Sequence, residues 1–167
     1  MSQTIQSPVA PTQTSVPPTA TPQTPPPALV VTHTYAAPRE RVFKAWTDAG
    51  QLSRWFSPTD DYSTKAEVDL RVGGAYRIEI THSSGNAHAV VGTYREIKAP
   101  ERLSFTWNWE GTPMPETTLV TIEFTPAGNG TQVTMTHEKL PTIESREQHE
   151  KGWVGCMSRL ERTLPAL

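Results

Sequence analysis

Hydrophobic positions along this chain change their period twice. Over Ala28-Leu-Val-Val-Thr-His-Thr-Tyr35 the residues are β-branched and aromatic, which predicts a first strand. Ala37-Pro38 stops it, and Pro38, with its fixed φ and no N–H to lose, suits the first turn of a helix. Val42, Phe43, Ala45 and Trp46 share an apolar face over residues 38–47, with Arg39, Glu40 and Lys44 mostly opposite. Thr47-Asp48 interrupts that helix and offers a cap for a second short one, Ala49 to Trp55, which Ser57-Pro58 ends.

From Thr64 the period becomes two. Ala66, Val68 and Leu70 alternate with Lys65, Glu67, Asp69 and Arg71, predicting a strand over 64–71. After Gly73-Gly74, the stretch 75–81 places Tyr76, Ile78 and Ile80 on one side, and Ser83-Ser-Gly-Asn86 is hairpin chemistry. A strand over 88–98 follows, then the turn Ala99-Pro100-Glu101. Leu103, Phe105, Trp107 and Trp109 share one face of the next strand. Two more strands, 118–125 and 131–138, are joined by Pro126-Ala-Gly-Asn-Gly130, and Val133, Met135 and His137 share a face. The period then becomes 3.6 from Ile143 to Leu164. Trp153, Cys156, Met157, Leu160 and Leu164 form one stripe, while Ser158, Arg159, Glu161 and Arg162 form the solvated side.

The predicted order is β-α-α-β-β-β-β-β-β-α, an α+β fold. An antiparallel meander of about six or seven strands, strongly bent around one long C-terminal helix, is the economical packing. Residues 28–167 are expected to be that domain. Residues 1–27 hold eight of the 16 prolines among Thr, Gln, Ser, Ala and Val, and are expected to be a disordered tail. Pro8 with Pro11, and Pro22 with Pro25, have P-x-x-P spacing, but no basic residue flanks them.

Charge and cysteine content narrow the function classes. A formal net charge of −2 over 167 residues does not favour nucleic acid or an anionic membrane as partner. The single cysteine, Cys156, rules out an internal disulfide and fits a reducing compartment. No apolar run approaches the length of a membrane span, and no Lys or Arg precedes Arg39, so a cytoplasmic protein is expected. The chain carries no nucleophile elbow, phosphate-binding loop or dinucleotide fingerprint, and its histidines lack metal-ligand spacing. No cofactor or metal is expected.

Several pieces in this order carry a resemblance. They are Pro38-Arg-Glu-Arg-Val-Phe-Lys-Ala-Trp-Thr47, Leu52-Ser-Arg-Trp-Phe-Ser-Pro58 and Val68-Asp-Leu-Arg-Val-Gly-Gly-Ala-Tyr76, then Gly92-Thr-Tyr-Arg-Glu-Ile97 and Pro100-Glu-Arg-Leu-Ser-Phe-Thr-Trp107. Val120-Thr-Ile-Glu-Phe124, Gly130-Thr-Gln-Val-Thr-Met-Thr-His137 and Gly152-Trp153 complete the set. Over about residues 28–164 the chain resembles the family named for the activator of the 90-kDa heat-shock-protein ATPase, within the START-type, birch-pollen-allergen-like helix-grip superfamily. The resemblance implies a curved sheet gripping a helix. It also implies a carrier of hydrophobic ligands, with a chaperone-associated stress-response role or a cyclase or hydrolase activity as alternatives. The co-chaperones that name the family carry a separate chaperone-binding domain, which a 27-residue tail is too short to supply.

Candidate site residues follow from the inward faces. Trp46, Trp55, Phe56 and Tyr76 come from the first half, and Ile78, Phe105 and Trp107 from the sheet. Met135, His137, Trp153, Cys156 and Met157 complete the lining, with Trp153 as anchor and Cys156 and Met157 placed to meet a ligand. Aromatic walls with few polar groups are how small-molecule pockets are built; the same residues would serve equally as core filling. His137 offers either a polar anchor, an acid–base group or a core-edge histidine, and His149 and Glu150 could face sheet or opening. The favoured reading is a non-enzymatic module binding a small hydrophobic or amphipathic molecule. Arg77, Glu79, Glu96 and Glu123 are expected on the solvent side of the sheet, Cys156 as a buried inert thiol, and Asp60-Asp61-Tyr62 as a loop at one end of the cavity.

Overall fold

The computed structural model describes residues 26–167. The expected tail lies almost wholly outside that range. Strand β1 (Leu29–Tyr35) leads to helices α1 (Arg39–Thr47) and α2 (Ala49–Trp55), and six strands follow: β2 (Tyr62–Val68), β3 (Ala75–His82), β4 (Ala87–Lys98), β5 (Arg102–Trp109), β6 (Thr118–Ala127) and β7 (Gly130–Glu138). Helix α3 (Ile143–Thr163) ends the chain with a short 3-10 turn, Leu164–Ala166. The seven strands form one antiparallel sheet in the order β1-β7-β6-β5-β4-β3-β2. The meander runs from β2 to β7, and β1 adds to β7, with Val31 opposite Met135 and Leu29 opposite His137.

Short local devices set the helix boundaries. Pro38 stands one position earlier than expected, as the N-cap of α1, where its carbonyl accepts from the N–H groups of Arg41 and Val42. The Asp48 carboxylate accepts from Gln51 N at 2.9 Å, which starts α2 within a residue of the end of α1. Thr142 caps α3 in the same way, accepting from Ser145 N at 3.0 Å. At its other end, the Leu164 and Ala166 carbonyls accept from Arg41 and Arg54, so the two short helices hold down the C-terminus.

The strands that follow β2 match their expected bounds to within two residues, β6 running on through Pro126 to Ala127, and the largest difference is at β2 itself. β2 occupies Tyr62–Val68 rather than 64–71, and Leu70 is 45 % exposed. The ladder stops because the chain turns on itself. Asp69 N donates to Ala75 O, Arg71 N to Asp69 O and Gly74 N to Arg71 O. Alternation beyond Val68 is thus a turn that happens to read as a strand.

Helix α3 lies in the concave face with Trp153, Cys156, Met157, Leu160 and Leu164 buried, as its stripe predicts, while Val154 is exposed. Tyr35 donates its hydroxyl to Met157 O at 2.8 Å, tying β1 to the middle of α3. Burying an indole such as Trp153 removes ~200 Å² from water, an upper figure of about 5 kcal/mol before side-chain entropy. On the convex face Arg77 pairs with Glu79 and Glu110, and Arg102 with Glu96 and Glu123, all at 2.7–3.0 Å. These exposed pairs contribute little stability, and their position accounts for the carboxylates noted in the sequence.

Candidate functional site

Between α3 and the β3–β5 side of the sheet lies a cleft of about 220 Å³, open on one side. Its walls are mostly aromatic. Trp107 and Trp109 come from β5, Trp153 from α3, and Phe56 from the end of α2. Pro58, Ile80 and Cys156 add apolar surface, and Gln148, His149 and Gly152 complete the α3 side. Two of the ring contacts are edge to face, Trp107–Trp109 with centroids 5.6 Å apart and Phe56–Trp153 at 5.9 Å, while Trp107 and Trp153 are tilted at 4.9 Å.

A second, inner space of about 20 Å³ is bordered by Trp46, Phe56, Tyr76, Ile78, Phe105 and Trp107, with Leu52 and Tyr94. Phe56 and Trp107 border both spaces. Of the residues proposed from sequence, Phe56, Trp107, Trp153 and Cys156 thus meet at the cleft, and Trp46, Tyr76, Ile78 and Phe105 join Phe56 and Trp107 at the inner space. Trp55, Met135, His137 and Met157 border neither and are core; each is at most 0 % exposed. Met157, expected to meet a ligand, is fully buried in the core cluster.

His137 is the core histidine among the three readings its sequence position left open. Its Nδ1 accepts from Trp153 Nε1 at 3.1 Å, and its Nε2 lies 2.8 Å from Thr118 Oγ1, which itself donates to Trp107 O at 2.7 Å. Thr118 has spent its proton on that carbonyl, so His137 Nε2–H must be the donor. Both ring nitrogens are occupied and the ring is a neutral tautomer fixed by its neighbours. Burial, with His149 beside it, lowers its pKa from 6.5 to about 3. It has neither the exposure nor a free nitrogen for acid–base work, so the reading of an enzyme built on His137 loses its residue.

His149 is the histidine at the cleft. Its Nδ1–H donates to Ser145 O at 2.7 Å, and Nε2 accepts from Trp109 Nε1 at 3.1 Å. Burial lowers its pKa, with the Ser145 carbonyl opposing. This ring is a neutral spacer that holds Trp109 upright. The Cys156 thiol is pushed up to about 12 by burial, with Arg159 opposing weakly, so the cleft carries no thiolate.

The rim is pinned. Arg159 Nη1 donates to Ser57 Oγ and Thr59 O, both at 2.6 Å, and Asp60 lies 3.5 Å from Arg159 and from Arg162. Gly155 lets the helix approach so closely that a Cβ there would overlap the Pro58 carbonyl oxygen. Asp61 O accepts from Ser83 N at 2.8 Å. Residues 57–61 are therefore a fixed border to the cleft. Gly152 is the opposite case: a Cβ there would meet nothing within 4 Å.

Ile80 and Trp109 lie on the strand faces that alternation predicts, though alternation alone does not assign them to the site. His149 can face sheet or opening on its sequence, and hydrophobic periodicity gives Pro58, Gln148 and Gly152 no place at the site. Trp109 was findable from its two-residue spacing to Trp107. Gly152 belongs to the Gly152-Trp153 pair that carries the resemblance, but hydrophobic periodicity gives it no role, because its contribution is the space beside it. Among the described residues, no group of three or more His, Cys, Asp or Glu side chains converges as metal ligands, and no helix is long and apolar enough to cross a membrane.

A family model described as "Activator of Hsp90 ATPase homolog 1-like protein" matches residues 36–165. A crystal structure of a Chromobacterium violaceum protein is similar over 82 % of this chain and 96 % of its own, at 28 % identity and a TM-score of 0.74. A solution structure described as AHSA1-like, from Aeromonas hydrophila, covers 83 % and 92 %, at 26 % identity and a TM-score of 0.72. A crystal structure of a Silicibacter pomeroyi protein, at 23 % identity and a TM-score of 0.73 over 84 % of this chain and 99 % of its own, shares the fold. No protein of curated function matches the sequence. A curled seven-stranded sheet with a C-terminal helix and two short helices is the helix-grip fold of those structures.

Proposed function

We propose, since the chain belongs to the Activator of Hsp90 ATPase homolog 1-like family, that it is a non-enzymatic receptor for a small hydrophobic or amphipathic molecule held between the sheet and α3. Membership of that family suggests small-molecule or chaperone interaction in general terms, and the cleft favours the first. The observation that carries this reading is Gly152. A glycine inside a helix costs roughly 0.5–1 kcal/mol relative to alanine. Gly155, one turn on, is required by the Pro58 carbonyl, whereas nothing in the protein fills the space where the Gly152 side chain would project. The helix gives up stability at the point where it borders an aromatic cleft.

What supports binding rather than catalysis is that the polar groups at the cleft are already committed. His149 is bonded at both nitrogens and Cys156 is held as a thiol. The size sets a limit on the occupant. A cavity of about 150 Å³ holds benzene, so about 220 Å³ suits roughly nine or ten non-hydrogen atoms. Longer molecules would extend through the open side.

Native mass spectrometry followed by organic extraction tests the reading, with Gly152→Leu as control. The expected result is a bound small molecule in the wild type that is lost in a folded Gly152→Leu variant. Added probes at 100 times their Kd should raise the Tm of the ligand-stripped protein by roughly 10 °C. An empty protein whose Tm no aromatic or short-chain probe moves would contradict it.

A further inference from the structure

The chain has five tryptophans, and their indole N–H groups divide in two. Trp55 donates to Ala45 O at 2.8 Å, Trp109 to His149 Nε2 at 3.1 Å and Trp153 to His137 Nδ1 at 3.1 Å. Trp46 and Trp107 are 3 % and 4 % exposed, and their indole nitrogens have no hydrogen-bond partner among the described residues. Those two are also the tryptophans that border the inner space of about 20 Å³. A buried N–H without an acceptor is rare and unfavourable. Both residues that carry such a donor border the same small space.

The space selects the acceptor. A volume of about 10–15 Å³ is what a single water-sized group requires, so 20 Å³ takes one oxygen and little more. Indole N–H donates and cannot accept, so the oxygen must be supplied as a lone pair. No Lys or Arg side chain borders either space, and a carboxylate there would be buried without a counter-charge. The nearby Tyr76 hydroxyl is already given to Thr106 O. A hydrocarbon end would leave both donors unpaired. Phe56 and Trp107 border the cleft and the inner space alike, so the two spaces adjoin at those rings.

We propose that Trp46 and Trp107 form a two-donor subsite for one uncharged carbonyl oxygen. The ligand class is then a small apolar carbonyl compound, such as an aryl ketone, quinone or lactone. This deepens the binding reading and rests on the cleft being the place where the body of the ligand sits.

The test uses three probes of matched size on the full chain: acetophenone, isopropylbenzene and benzoate. The readout is the indole N–H region of the ¹H–¹⁵N NMR spectrum, with Trp46→Phe and Trp107→Phe assigning the two signals. Should one variant fail to fold, the other and the unmodified protein suffice. Acetophenone should move both signals downfield and bind about tenfold more tightly than isopropylbenzene, the effect of two hydrogen bonds of ordinary net strength. Benzoate should bind most weakly, and Trp46→Phe should shrink the ketone's advantage. Equal affinity for acetophenone and isopropylbenzene, tighter binding of benzoate, or still signals for Trp46 and Trp107 on ketone binding, as a fixed water would give, overturns the subsite while leaving the cleft as a binding site. If no probe binds and the Trp109 and Trp153 signals also stay still, the cleft reading falls with it.

Discussion

A buried histidine destabilises a fold when it takes up a proton, and His137 has no room for one. Trp153 donates to one of its nitrogens, and the other donates to Thr118. A second proton would put two donors face to face. With a folded pKa of about 3 and an unfolded value near 6.5, the unfolded chain binds more protons between those limits. Stability is therefore fully present above about pH 6.5 and falls as pH falls toward 3. Between pH 7 and pH 5 the loss from this one group should be about 2 kcal/mol, and His149, whose pKa is also lowered, adds to it in the same direction. Urea melts at the two pH values check this, with His137→Gln expected to flatten the dependence. Equal midpoints at pH 5 and 7 would refute it. The sequence placed His137 on the inward face with Val133 and Met135. It could not reveal the tautomer, because the groups that fix it stand 16 and 19 residues away in the chain.

Two glycines one turn apart make α3 a test of its own geometry. Gly155 faces the Pro58 carbonyl and Gly152 faces the cleft. Gly155→Ala should cost about 1–3 kcal/mol by forcing the rim away from the helix. Gly152→Ala should stabilise by roughly 0.5–1 kcal/mol through the ordinary helix preference. Denaturant midpoints moving in opposite directions are the expected outcome; movement in the same direction would show that the space at residue 152 is not free. Arg159→Met should loosen the rim, since its guanidinium holds both Ser57 and Thr59, and proteolysis within residues 57–61 would report it. The stripe from Trp153 to Leu164 was readable because a 3.6-residue period is a local property. The two glycines were not, since what distinguishes them is the Pro58 carbonyl, 97 residues before Gly155 in the chain, and the space beside the helix at Gly152.

At the scale of the molecule, local alternation was enough to order seven strands and three helices, because each strand pairs with a neighbour close in sequence. The exception is β1, which crosses to pair with β7 and leaves α1 and α2 leading from one sheet edge to the other. Division of the inward aromatics into wall and core was beyond a pattern reading. Trp55 and Trp107 look alike in sequence, yet Trp55 is sealed by α1 through Ala45 O, while Trp107 stands where α3 and the sheet separate. Packing density, not hydrophobicity, decides which is which. If this separation is a binding site, a crystal of the protein soaked with 4-bromoacetophenone should show it by bromine anomalous scattering. The expected result is a bromine peak inside the cleft beside Trp107, Trp109 and Trp153, absent in Gly152→Leu; a cleft without a peak, filled instead by the protein's own side chains, would overturn the binding reading.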